Sequence, residues 1–328
     1  MPSDRGSNRG NISGMTKIDL PFDLDSFPWR TRHWVRRGVN RTSRWTRKLG
    51  GRVGPVIPNT LATGGAHDWT PQGLGYDPET NLLAQSYYSH DRGSALVLVD
   101  LQSGKAAGEV ILAGHRGKAG PGHAGGVAID GDDVWVCKGA GGAGRLYRYS
   151  LAAIRTAEKG AEIEPVETPA KVAAGSYCRL RGNRLYLGGF GKQTLFAYEK
   201  GEDGVWDFSE PVISTTTPPK VQGVVVRRGE YLFSSSFGRH RRSTLFVCER
   251  KRDGGVGSVR RTFKFPNMAE AIVEVEGELI TTYESGASPY SRPSAYGFGL
   301  LIGRMWASTH MTITPIASLG LEPDPEAG

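Results

Sequence analysis

Five stretches of this chain repeat one pattern: a short apolar run that opens on a polar residue, a tight turn, a second apolar run, and an exit rich in serine and glycine. Gln72-Gly73-Leu74 leads to Leu82 through Tyr88, His123 through Ile129 leads to Val134 through Gly139, and Ser176-Tyr177-Cys178 leads to Leu185 through Phe190. Gln222-Gly223-Val224 then leads to Tyr231 through Gly238, and Glu270-Ala271-Ile272 to Leu279 through Gly286. Taking Gln72, His123, Ser176, Gln222 and Glu270 as equivalent, the intervals are 51, 53, 46 and 48 residues. A repeat of that length, built of short alternating runs, suits a four-stranded blade and not a helical repeat. A third strand follows each hairpin, as in Ala95 to Asp100, Arg145 to Tyr149, Thr194 to Tyr198 and Thr244 to Cys248, with an outer strand before the next unit. Radial repetition of such units leaves only short sheet edges. The sequence therefore predicts an all-β fold, a five-bladed β-propeller, with six blades open if residues 50–66 form part of another. A solenoid is the main structural rival, but it needs capping ends that the chain does not carry.

The composition agrees, with 46 glycines and 19 prolines punctuating apolar runs. Charge divides the chain in two. Residues 1–53 carry two lysines, ten arginines and four aspartates, which accounts for the whole formal charge of +8, and the remainder holds 29 charges of each sign. The predicted organisation is a basic N-terminal arm over residues 1–50 and a propeller over 51–328. Any attraction to a polyanion belongs to the arm, and no specific nucleic-acid binding is expected of the neutral repeats. Residues 29–48 include Trp29, Trp34 and Trp45 among arginines. They read either as a basic amphipathic helix for an anionic membrane or acidic partner, or, as we favour, as a solvated arm whose tryptophans pack on the propeller rim. A monomer is expected.

No run of about 18 apolar residues suggests a membrane-spanning helix, and the N-terminus has no apolar core of a secretory signal. On that ground alone a cytoplasmic location is expected. Cys137, Cys178 and Cys248 sit in apolar runs and read as buried free thiols, with a Cys137–Cys178 disulfide as the alternative. No pair has zinc-ligand spacing. His67, His90, His115 and His123 lack a carboxylate or cysteine at tight spacing, so no metal site is predicted from them. The run Gly139 to Gly144 has the composition of a phosphate loop, but it joins two strands and reads as a hairpin turn.

Propeller geometry turns the repeat into a site. The starts of the innermost strands and the ends of the second strands share one face, so Gln72, His123, Tyr177, Gln222 and Glu270 should surround one channel mouth. Tyr87, His90, Lys138, Phe190, Phe237, Arg239, Tyr283 and Glu284 should form the surrounding ring. The predicted function is binding of a small molecule or glycan. Gln72, His123, Tyr177, Gln222 and Glu270 would supply hydrogen bonds, and Tyr87, Phe237 and Tyr283 apolar or stacking faces. The alternative is a hydrolase or lyase with His123 as base and Glu270 or Glu284 as acid, a carboxylate beside the imidazole raising its pKa. A protein-interaction platform is the third reading. No cofactor is predicted.

The stretch Gln72 to Pro289 resembles a group of actinobacterial propeller proteins of unassigned function, through Pro71-Gln72-Gly73-Leu74, His123-Ala124-Gly125-Gly126, Val221-Gln222-Gly223 and Pro266 to Glu270 with Tyr283 to Ala287. That resemblance implies a secreted protein and brings no activity. The run Arg184 to Lys192 looks like a blade of the calcium-dependent apyrases, which are also five-bladed and hold calcium in the channel among carboxylates and serines. The aligned positions here are mostly Gln, His and Tyr, with only Glu270 acidic, so calcium is not expected, since that ion takes six to eight oxygens.

Overall fold

The structure, a computed structural model, describes residues 42–59, 69–139, 144–239, 241–291, 308–324 and 326. The fold is a five-bladed β-propeller. The first blade contains β2 (Thr70–Asp77), β3 (Leu82–Ser89), β4 (Gly93–Asp100) and β5 (Ala106–Leu112), and the second β6 (Ala124–Asp130), β7 (Asp133–Lys138), β8 (Gly144–Ser150) and β10 (Ala170–Val172). The third holds β11 (Tyr177–Arg181), β12 (Arg184–Gly189), β13 (Thr194–Glu199) and β14 (Ile213–Thr216), and the fourth β15 (Val221–Val226), β16 (Glu230–Ser235), β17 (Ser243–Arg250) and β18 (Val256–Phe265). The fifth is composite. Its strands β19 (Ala269–Val275), β20 (Glu278–Tyr283) and β21 (His310–Pro315) are completed by β1 (Arg52–Val56), which pairs antiparallel with β21. Residues 52–56 thus close the ring and found no sixth blade. Arg52 reinforces the seam by donating twice to the Glu278 carboxylate.

The first blade departs from four strands. Between β8 and β10 the chain makes a one-and-a-half-turn helix, Leu151–Thr156, whose N-terminus is capped where Ser150 Oγ accepts from the Ala153 amide at 3.1 Å. It then adds β9 (Ala161–Ile163) in parallel to the outer edge of the first blade. The edge of β5 is thereby covered by the connection between the third and fourth strands of the second blade.

Strand alternation builds the core, because each blade is apolar on both faces. In β7, Val134 and Val136 pack toward the first blade, with Leu96 and Leu98, while Trp135 and Cys137 pack toward the third, with Leu185 and Leu187. The outermost strands lose this double burial: the middle of β18 is exposed. All three cysteines are buried free thiols. Residues 42–48 form a helix that docks through Thr42 and Thr46, with Thr42 Oγ1 2.8 Å from Ser308 Oγ. Its Trp45 lies under the Arg242 guanidinium, 3.7 Å from the ring centre, so the contact with the rim is cation–π in character. The remainder of the basic tract, His67 and residues 140–143 lie outside the described residues.

The inner strands β2, β6, β11, β15 and β19 touch in sequence, with β19 returning to β2 around the axis. Glycine makes the close approach feasible. A Cβ on Gly126 would lie 2.1 Å from the Cys178 amide nitrogen, and one on Gly73 2.3 Å from the Gly125 carbonyl oxygen. At the other end of the inner strands the C-terminal segment docks. Arg181 bridges Asp324 at 3.0 Å and Glu326 at 2.9 Å, and the Arg228 amide donates to Asp324 at 2.6 Å. Beside them, buried Arg227 lies 3.1 Å from Glu274.

Candidate functional site at the open channel mouth

Four of the five inner strands carry a bulge at their first residues, between Pro71 and Leu74, Ala124 and Val127, Val221 and Gly223, and Ala269 and Ile272. A bulge re-aims a side chain, and each of these lies at the same mouth. Gln72, Gln222 and Glu270 occupy the bulges of β2, β15 and β19. In that frame the counterpart of Gln72 is Gly125, and His123 sits two residues earlier. The equivalence of His123 with Gln72 expected from sequence is therefore shifted by one strand period. The freed backbone of Gly73 is taken up by the next strand: its amide donates to Ser86 Oγ at 2.8 Å, and its carbonyl accepts from Gln85 Nε2 at 2.9 Å. Gln85 in turn accepts from Thr282 Oγ1 at 2.9 Å, which ties the first blade to the fifth.

A cavity of 460 Å³ opens here, and residues from all five blades line it, among them Gln72, Tyr88, His123, Ser176, Phe190, Gln222, Glu284 and Tyr290. Its floor is a carboxyl pair. Glu270 and Glu284, only 2% and 8% exposed, are hydrogen-bonded to each other. Gln222 Nε2 donates to Glu270 Oε1 at 2.8 Å, Ser236 Oγ lies 3.4 Å from the same oxygen, and Gln72 Nε2 donates to Glu284 Oε1. Burial, and then the charge of Glu284, push the Glu270 carboxyl well above the usual carboxylate range. Burial likewise raises Glu284 to about 7, while the hydrogen bonds from Gln72 and Glu270 hold it down. Of the pair, Glu270 is pushed the further toward its protonated form, and Glu284 is the carboxyl facing the cavity.

The walls are aromatic. The Tyr88 ring stacks on His123 with centroids 3.8 Å apart and planes 19° apart, and the Tyr88 and Tyr290 hydroxyls are 3.3 Å apart. At the rim, Lys220 Nζ lies 4.4 Å from the Phe190 ring centre and 4.9 Å from that of Phe237, which is 58% exposed.

The sequence-derived site divides accordingly. Gln72, His123, Gln222, Phe190 and Glu284 line the cavity, and Glu270 lies behind Glu284. Tyr87, Tyr177 and Tyr283 do not line it. Each is buried between blades: the Tyr87 hydroxyl donates to the Pro58 carbonyl at 3.0 Å, the Tyr283 hydroxyl meets Thr312 Oγ1 at 2.7 Å, and Tyr177 fills the space left by Gly188. No hydrogen bond or ion pair joins His123 to Glu270 among the described residues. The expected rise of the imidazole pKa is a fall instead, caused by burial and then by His90 and Lys138. His115 lies away from the mouth, its Nδ1 3.4 Å from the Pro165 carbonyl, and no cluster of three or more metal-ligating side chains occurs among the described residues. Sequence reading missed Tyr88, Tyr290 and Ser236, and at the third repeat, where Ser176 aligns with the other channel positions, it named the neighbouring Tyr177 instead. The Tyr87-Tyr88 pair was the available signal, but β3 is buried on both faces, so its apolar pattern does not say which tyrosine faces the channel.

No family model matches the chain, and no curated protein matches it. Solved structures do match. The PQQ-bound aldose sugar dehydrogenase of Streptomyces coelicolor is similar at 14% identity and a TM-score of 0.42, over 80% of this chain and 96% of that one. A putative glucose dehydrogenase of Thermus thermophilus gives 14% identity and 0.43, over 80% and 99%. Hydrazine synthase of Kuenenia stuttgartiensis gives 13% identity and 0.36 over 65% of this chain, which spans just over half (55%) of that protein. These likenesses concern the fold alone, a propeller. They do not show the expected resemblance to an actinobacterial family of unassigned function or to the apyrases.

Proposed function

We propose that the open mouth of the channel binds a small, hydrophilic molecule of about monosaccharide to disaccharide size. The observation that carries this reading is the convergence of polar side chains from separate blades on one cavity, with the amides of Gln72 and Gln222 already oriented by the carboxyl pair beneath them. A volume of 460 Å³ falls within the range of small-molecule sites, roughly 300 to 1,000 Å³, and a wall of aromatic faces with a few fixed polar groups is the usual composition of such sites. Preset groups cost little ordering on binding, which favours affinity.

The test is a thermal-shift screen of sugars, amino acids and short peptides against the wild-type protein and against Gln72→Ala and Gln222→Ala. Stabilisation by a compound should fall at least tenfold in apparent affinity in each variant. A screen without a single stabilising compound, or stabilisation that both variants retain in full, would end this reading. A second reading rests on Glu284, whose pKa near 7 suits a general acid or base at neutral pH. Turnover in a hydrolase and lyase panel that vanishes in Glu284→Gln would favour it.

A further inference from the structure

The cavity is electrically lopsided. Its floor carries Glu284, more than nine-tenths buried, with no ion pair to any lysine, arginine or histidine among the described residues. A carboxylate taken out of water without a counter-charge is costly, and its two stabilising contacts, Gln72 and Glu270, are neutral donors. The rim has the opposite sign. Lys220 stands over Phe190 and Phe237, and Lys138 is close enough to depress the His123 imidazole. Neither lysine has an ion-pair partner among the described residues. A purely anionic ligand would meet Glu284 at the floor, and a purely cationic one would meet lysines on its way in.

We propose that the ligand of this cavity is a small zwitterion, of the size of an amino acid or dipeptide, whose ammonium group docks on Glu284 and whose carboxylate lies toward Lys138 and Lys220. This rests on the reading of the mouth as a binding site and names its ligand class. The ammonium supplies the counter-charge that Glu284 lacks, in a setting where a charge-assisted hydrogen bond is strong. Tyr88 and Tyr290 line the same cavity, with their hydroxyls 3.3 Å apart. Glu270 acts behind Glu284 as a positioning residue, keeping its proton and donating to the carboxylate.

The groups facing Glu284 are Glu270, Gln72, Tyr88 and Tyr290, with His123, His90, Lys138 and Arg239 further around the mouth. Both tyrosines are pushed upward by burial and stay neutral, and His123 is pushed downward. Between pH 5 and 8 the floor therefore titrates chiefly at Glu284. An ammonium needs the ionised carboxylate, so affinity should be flat above about pH 7.5 and weaken about tenfold per unit below about pH 6.5.

The experiment is calorimetric titration of the full chain with a panel of L-amino acids and dipeptides, each also as its N-acetyl and C-amide form, with neutral disaccharides as a separate arm. The expected result is binding by at least one zwitterion. N-acetylation of that zwitterion should weaken binding at least tenfold, amidation should weaken it less, and the pH dependence should have the sign given above. Glu284→Gln, whose folding is checked by its melting curve, should weaken the zwitterion at least tenfold and flatten its pH profile. Gln222→Ala should weaken binding yet keep the profile. Binding of neutral disaccharides alone, or equal binding of zwitterion and N-acetyl form, overturns the zwitterion and leaves the binding site standing. Binding of none of the probes overturns the zwitterion proposal outright, and the wider thermal-shift screen then decides the site itself.

Discussion

Glu284 is held out of water by its neighbours, and the consequence is a charge that folding opposes. Its carboxyl moves from an ordinary 4.5 to about 7 chiefly through burial. Because the folded form binds this proton more tightly than the unfolded chain, its contribution to stability is full below about pH 4.5 and declines as pH rises toward 7. Glutamine has the same shape and no charge. Glu284→Gln should therefore melt close to the wild type at pH 5 and a few degrees above it at pH 8, with a ceiling on the order of 3 kcal/mol at about 1.4 kcal/mol per unit. A melting difference that stays constant across that range would show that burial does not tax this carboxylate. The variant-minus-wild-type difference is the proper readout, since His310, lowered to about 4 by burial, loses stability in the opposite direction, as pH falls. At this scale the sequence singled out Gln72, Gln222, Glu270 and Glu284 as residues of one mouth. It gave no hint that the two glutamates bond to each other, because they belong to the first strand and the exit of one hairpin and meet only when the bulge turns Glu270 inward.

The elements that matter most are the bulged first strands. The bulges of β2 and β6 are packed glycine against glycine, and the Gly126 position faces backbone of the third blade, not a side chain that could move. Gly126→Ala should therefore cost about 1–3 kcal/mol or more, read as a lower denaturation midpoint, whereas Gly131→Ala, at a turn where a Cβ would meet nothing within 4 Å, should cost less and chiefly through its positive φ of 59°. Equal losses in both would contradict a close-packed ring. The strands themselves were legible from alternation, but the bulges were not. An extra residue changes no hydrophobic pattern where both faces of a strand are buried, and that is why His123 was aligned with Gln72 when Gly125 is its counterpart. The same double burial hid the choice between Tyr87 and Tyr88.

At the scale of the molecule, the ring is closed by a strand from the opposite end of the chain. Without β1, the backbone of β21 would present an unpaired edge. Deletion of residues 1–56 should thus lower the melting temperature by many degrees and promote concentration-dependent association, whereas deletion of residues 1–50, which leaves β1 in place, should do so much less. Identical melting of the two would refute closure as a source of stability. The sequence by itself indicated a propeller, the order of its five repeats and a candidate face for the site, while leaving a sixth blade open, because period-two alternation and a fifty-residue repeat are local properties that survive in any one segment. Only the tertiary structure decided which side chains enter the cavity, where the ring closes, and that Arg181 pairs with Asp324 at the far end of the inner strands. Those outcomes depend on contacts between residues as many as 269 positions apart, such as Leu49 with Ser318, and on bulges whose energy comes from neighbouring blades. No window of sequence contains both partners.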